Sequence, residues 1–106
     1  MAGSGACGAA AGAVDSGVGG AVASAVGERL LRLGTNMQTL VITHSPQVAA
    51  RANQHLRIAK TNTDSGIVSA TRVLDTDERT EEIARMLAGE NITAEARAAA
   101  AVLLGN

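Results

Sequence analysis

The chain has 106 residues, a net charge of -1 at pH 7, and no Phe, Tyr or Trp. Its near-neutral charge gives no indication of electrostatic binding to nucleic acid or anionic lipid. Its single cysteine, Cys7, excludes an internal disulfide. No apolar run reaches membrane-spanning length and no signal peptide is recognisable, so a cytoplasmic protein without membrane contact is expected. A core without aromatic residues is small, which is typical of a piece that packs against a larger body.

Residues 1–13 consist almost entirely of Gly and Ala. They are predicted to be a flexible segment, because they bury too little apolar area to offset the entropy lost on ordering. Their G-x-G-x-x-G spacing, which begins at Gly3, does not indicate dinucleotide binding, since no strand can precede it. Ordinary globular sequence begins at Val14, and residues 14–106 are taken as the domain.

Apolar residues at three- and four-residue steps predict a helix from about Val18 that ends at Gly34. Residues 37–43 predict a strand, and their continuous Leu-Val-Ile run is typical of a strand buried on both faces in a parallel sheet. The Ser45-Pro46 pair is a strong helix start, so a short helix is expected over about 46–52.

Residues 55–60 and 67–74 predict two strands joined by a polar turn, hence an antiparallel hairpin. Asp75 and Glu78 have the spacing of a capping box that opens a helix ending at Gly89. A last helix is expected from about Thr93 to Leu104. In this order the predicted elements form an α/β arrangement. They start with a helix, although a strand is expected ahead of the first helix in such an arrangement.

His44 follows the predicted parallel strand and precedes a capped helix. Ligands bind at the carboxyl ends of strands in open parallel sheets, but position alone leaves open whether this is a functional residue or a loop histidine without a role. His55 begins a strand and is expected at the surface. With one cysteine and two histidines, the chain has no convincing set of zinc ligands.

The run Asp15-Ser16-Gly17 is a turn that can cap the first predicted helix. The five carboxylates between Asp75 and Glu82 resemble an acid–base set. They lie in the first turns of a predicted helix, with Arg79 among them and Arg85 after them. This position indicates that the carboxylates cap the helix and face solvent instead.

Three separated motifs together resemble the C-terminal part of the ATPase head of the RecN family of bacterial DNA-repair proteins, an SMC-like branch of the ABC ATPases. The motifs are VDSGVGG at residues 14–20, LVITHSPQVA at 40–49 and EEIARMLAG at 81–89. They occur in the family's order and spacing, and the resemblance extends over about residues 14–104.

This resemblance implies the fold of a partial ABC, P-loop-type ATPase head: the half that carries the H-loop, with a parallel strand and a hairpin flanked by helices. It also implies roles for four residues. Asp15, Ser16 and Gly17 match the D-loop, which reaches across a head-to-head homodimer, and His44 matches the switch histidine that contacts the γ-phosphate. The family's cofactors are ATP and Mg²⁺, and its members act on DNA in double-strand-break repair and recombination.

The departures from the family pattern concern the chemistry itself. Gly12 and Ala13 stand where the Walker B motif has Asp-Glu, and no Gly-x-x-x-x-Gly-Lys-Ser/Thr phosphate loop, ABC signature or coiled coil is present. Phosphoryl transfer depends on these positioning and charge-neutralising groups. We therefore expect this chain to bind neither ATP nor Mg²⁺ and to lack ATPase activity by itself, acting only with the remainder of a head. The alternative is a non-catalytic interaction module, or degenerate fragment, that docks on an intact head.

Overall fold

The computed structural model describes the backbone of residues 8–11 and the full residues 19–105. In chain order, this part contains the elements β1 (Gly8–Ala11), α1 (Gly20–Leu33), β2 (Gln38–Val41), α2 (Pro46–Ala49), β3 (Leu56–Thr63), β4 (Gly66–Val73), α3 (Thr76–Ala88) and α4 (Ala94–Leu103). The predicted α/β order is confirmed, with one further strand, β1, ahead of it.

The strands form two separate pairs within the described residues. β1 and β2 are parallel, with Ala11 opposite Val41 at their carboxyl ends. β3 and β4 form the predicted antiparallel hairpin, in which Thr63 pairs with Gly66 around a two-residue turn. Gly66 has a φ of 122°, a conformation that side chains beyond glycine rarely adopt, so the turn depends on that residue.

β1 departs from the expectation that the whole of residues 1–13 is a flexible segment. The expectation rested on composition, because Gly and Ala have low strand propensity. Strand pairing, however, uses backbone N–H and C=O groups that every residue of Gly8–Ala11 possesses, and β2 offers them a parallel partner. The other residues of the Gly- and Ala-rich segment lie outside the described part of the chain.

β2 is more exposed than its apolar run predicts. Within the described residues its neighbouring strand is β1, and the side chains of Leu40 and Ile42 remain 51% and 59% exposed. A continuous apolar run indicates burial on both faces, but the two-stranded sheet supplies little to cover them. The predicted burial is wrong for this chain, while the predicted parallel pairing is confirmed.

The core lies where the end of α2 meets α3 and α4. Ile83 is fully buried there among small side chains, and Met86 and Leu104 are among the larger residues packed around it. The fully or nearly buried alanines of this cluster are Ala49, Ala50, Ala84, Ala96 and Ala100. The core is therefore small and alanine-rich, as the absence of aromatic residues predicts.

Ion pairs attach the hairpin to α3. Arg57 on β3 contacts the buried carboxylate of Glu82, with 3.1 Å between Nε and Oε2, and Arg72 on β4 pairs with Glu78. α3 begins with the predicted capping box, in which the Glu78 N–H donates to the Asp75 carboxylate at 2.8 Å. None of the described helices has the length and apolarity needed to cross a bilayer.

Candidate functional site

The carboxyl edge of the parallel strand pair carries His44. β2 ends at Val41, opposite the last residue of β1, and the chain then continues through an irregular loop into α2. His44 lies in this loop with its side chain exposed. The structure thus places the residue where sequence reasoning expected it: at the strand-end edge at which α/β sheets bind ligands.

Hydrogen bonds within the loop fix the backbone on both sides of His44. The Ser45 N–H donates to Thr43 Oγ1 at 2.9 Å, and the Ser45 hydroxyl donates to Gln47 Oε1 at 3.0 Å. The Ser45 oxygen also accepts a long bond, 3.5 Å, from the Val48 N–H, which makes it the predicted N-cap of α2. Between Thr43 and Gln47, His44 is therefore the exposed residue, and the side chains of Thr43, Ser45 and Gln47 take part in hydrogen bonds.

α1 packs closely on α2 and supports the loop from behind. A Cβ atom added at Gly27 would lie 3.2 Å from both the Gln47 carbonyl oxygen and Val48 Cα, so only glycine permits this approach. At the start of α1, a Cβ on Gly20 would lie 3.4 Å from the Gln47 side-chain nitrogen. The N-terminal end of α1 therefore lies beside the beginning of α2, next to the His44 loop.

Asp15, Ser16 and Gly17 lie outside the described residues, so their assignment to the D-loop stays a prediction. What the structure does place are the described residues on either side of them. The chain leaves β1 at Ala11, at the same sheet edge as the His44 loop, and α1 begins at Gly20 beside Gln47.

Arg79 is a residue that sequence reasoning assigned to the solvated face of α3, and the structure shows a different contact. Its Nη2 donates to the carbonyl oxygens of Ala49 at 3.1 Å and Ala50 at 3.2 Å, and also to that of Ala52. Desolvation by burial lowers the pKa of this guanidinium, which nevertheless stays charged. No local sequence signal indicates the contact, because its acceptors are backbone groups 27 to 30 positions away.

His55 is half-buried beside Arg79, and this corrects its expected surface position. It lines a shallow cleft between the start of the hairpin and the first turn of α3, together with Leu74 and Asp75. Burial, followed by the positive charge of Arg79, lowers the pKa of His55, and the carboxylate of Glu82 opposes both effects. The imidazole therefore favours its neutral form, and its Nδ1 is buried without a hydrogen-bond partner.

The described residues do not hold a group of three or more His, Cys, Asp or Glu side chains arranged to bind a metal ion. The carboxylates of α3 are used in other ways, as the sequence favours. Glu78 closes the capping box, Glu82 pairs with Arg57 and Arg85, and Glu81 binds Arg97 of α4 through two bonds of 2.7 and 3.1 Å. The arrangement thus supplies one exposed imidazole on a supported loop.

The sequence is closely similar to RecN proteins. It is 52% identical over 91 residues to the DNA repair protein RecN of Xylella fastidiosa (strain 9a5c), a match that covers 86% of this chain and 16% of that protein. It is 49% identical over 92 residues to the DNA repair protein RecN of Deinococcus radiodurans, a match that covers 87% of this chain and 16% of that protein. This chain therefore spans about one sixth of the length of these relatives. No family model matches the chain.

The fold is similar to that of a solved structure described as "Structural biochemistry of ATP-driven dimerization and DNA stimulated activation of SMC ATPases". The TM-score is 0.61, at 17% sequence identity, and the match covers 79% of this chain and 50% of that chain. An identity this low shows the fold alone. Sequence and fold together confirm the resemblance predicted from the three motifs: the sequence is similar to that of RecN proteins, and the fold is similar to part of this solved structure.

Proposed function

We propose that this chain supplies the histidine-switch part of a RecN-like ATPase head that acts in the repair of DNA double-strand breaks and in recombination. The observation that carries the proposal is the place of His44. It stands within the LVITHSPQVA motif through which the sequence resembles the RecN family, and it is exposed at the carboxyl edge of a parallel strand pair. Ligand-binding groups of open α/β sheets occupy this edge.

In the complete head, His44 is the hydrogen-bond donor to the γ-phosphate as charge develops on it. A donor placed in advance stabilises such charge because it needs no reorganisation at the moment of reaction. The bonds of Ser45 to Thr43 and Gln47 provide this placement for the backbone of the loop.

Asp15, Ser16 and Gly17 are proposed as the D-loop, which reaches a second head. The structurally similar SMC ATPase is described as undergoing ATP-driven dimerisation, and this supports head-to-head association for the present chain as well. Contact with DNA belongs to the larger protein, since the net charge of this chain is only -1.

The residues of this chain do not fit ATP and Mg²⁺ by themselves. A phosphate loop needs a Lys that follows Gly, whereas the only lysine, Lys60, follows Ala59 on the exposed hairpin. The two Walker B carboxylate positions are Gly12 and Ala13, which carry no ligand atom on their side chains. We infer that the isolated chain turns over no ATP and that its histidine works only alongside groups supplied by the rest of a head.

An ATPase assay of the purified 106-residue chain tests this inference. No Mg²⁺-dependent phosphate release above the buffer rate is expected. Turnover of roughly one per second, an ordinary enzymatic rate, would contradict it. The matched positive control is a graft of residues 14–106 onto the N-terminal half of an intact RecN head, and this graft is expected to hydrolyse ATP.

A second candidate function is a non-catalytic module that docks on an intact head. The observation that favours it is a face of the hairpin with exposed apolar side chains, on which Ile58 and Ile67 are 63% and 70% exposed. Leu56 and Val73, which pair with each other on the same face, are also exposed. Nucleotide-independent association of the chain that increases with concentration would favour this module, whereas ATP hydrolysis by the graft would favour the ATPase role.

A further inference from the structure

α2 is too short to hold its own position. It contains four residues, Pro46–Ala49, and a single helical turn is unstable in water because nucleation costs more than the few bonds formed return. The orientation of the His44 loop, which is joined directly to its first residue, therefore depends on contacts made to α2 by other elements.

Arg79 makes the polar contact at the far end of this turn. The last carbonyl groups of a helix have no partner within the helix and carry partial negative charge. The Arg79 guanidinium satisfies those of Ala49 and Ala50 and extends to Ala52. Ser45 caps the other end, so α2 is held at both termini, with His44 adjacent to the first of them.

α3 is a firm base for this contact. Ile83, one turn beyond Arg79 on the same helix, is fully buried in the core, and the capping box of Asp75 and Glu78 fixes the first turn. Arg79 thus connects the most buried part of the molecule to the loop that carries the exposed imidazole.

We propose that Arg79 is a positioning residue for His44, acting through α2 to hold the loop at the carboxyl edge of the sheet. This rests on the role of His44 given under the proposed function. All three carbonyl groups are reached by the one nitrogen Nη2 of Arg79, so the contact depends on a charged donor at the end of a long side chain.

NMR of the full 106-residue chain tests the structural part. In Arg79→Met, which keeps the apolar stem, we expect the helical ¹³Cα shifts of residues 46–49 to fall toward random-coil values and the His44 amide signal to move. The signals of α3 and α4 should stay in place. The matched control is Arg97→Met, which breaks the pair with Glu81 but does not touch α2. Unchanged α2 shifts in Arg79→Met would overturn the proposal.

If Arg79→Met does not fold, Arg79→Leu, which also lacks a donor group, replaces it, with the same expected loss confined to α2 and the same contradicting result. In the active graft, Arg79→Met should lower kcat by about tenfold to a hundredfold, the scale of a misplaced catalytic group, with KM for ATP little changed. Adding it to His44→Ala should lower kcat no further. A further loss of kcat in that double variant would contradict an action of Arg79 through His44. An unchanged kcat in His44→Ala alone would refute the role of His44, and the NMR experiment would then test only whether Arg79 holds α2.

Discussion

Replacement of Gly27 by alanine is predicted to destabilise the protein, although alanine is the better helix former. The new Cβ would lie 3.2 Å from the Gln47 carbonyl oxygen, 3.2 Å from Val48 Cα and 3.0 Å from Arg51 Cγ. Ordinary contacts between non-bonded heavy atoms are about 3.5–4.0 Å. Only the Arg51 stem can rotate away, so α1 and α2 must separate by a few tenths of an ångström.

Two effects of opposite sign decide the outcome. Alanine favours the helix interior over glycine by about 1 kcal/mol. Overpacking of a close interface costs about 1–3 kcal/mol, and the backbone contacts place Gly27 within that range. The expected net change is a loss of about 1 kcal/mol in the free energy of unfolding, because the steric cost exceeds the gain in helix propensity.

Urea unfolding followed by far-UV circular dichroism measures this change, since the chain has no Tyr or Trp to serve as a fluorescent probe. Gly20→Ala is the matched control: its Cβ would meet only the flexible Gln47 side chain, at 3.4 Å, so no loss is expected. A Gly27→Ala variant more stable than the unsubstituted protein would refute the close packing of α1 on α2.

Three further predictions concern the core, the cap of α3 and the half-buried histidine. Ile83→Ala should lower the free energy of unfolding by about 2–5 kcal/mol, against little change for Ile67→Ala on the exposed hairpin, as measured by the same urea titrations. Asp75→Ala should cost about 1 kcal/mol through loss of the capping box, and equal urea midpoints for the two proteins would contradict that role. His55 has a pKa below its ordinary 6.5 in the folded state, so the unfolded state binds the proton more readily. Its contribution to the free energy of unfolding is therefore present above pH 6.5 and is lost as the pH falls through the folded pKa. His55→Gln should make the stability less sensitive to acid, and an unchanged dependence of stability on pH would contradict the lowered pKa of His55.

Local signals in the sequence predicted most of the elements, because each of those signals acts over a few residues. The Ser45 cap, the Asp75–Glu78 capping box and the apolar period of α1 all depend on neighbours within one or two turns. The position of His44 followed from the same logic, since the end of a parallel strand defines the edge of the sheet.

Long-range features were not predictable in this way. β1 forms through backbone pairing with a strand about thirty positions later, and Gly and Ala carry no side-chain signal for it. The contacts of Arg79 with α2, and the burial of His55 beside it, arise only when the hairpin brings α3 back against α2. Charged side chains in the first turns of a helix are usually exposed to solvent, so the sequence alone favours an exposed Arg79 over one bound to α2.

The most direct test of the central claim is the kcat for ATP of the graft that joins residues 14–106 to an intact N-terminal half, compared with the same graft carrying His44→Ala. If His44 is the γ-phosphate donor, its loss removes stabilisation realised mainly in the transition state, and kcat should fall by about a hundredfold or more. KM for ATP should change much less. An unchanged kcat would show that His44 is a loop histidine without a catalytic role and would contradict the account.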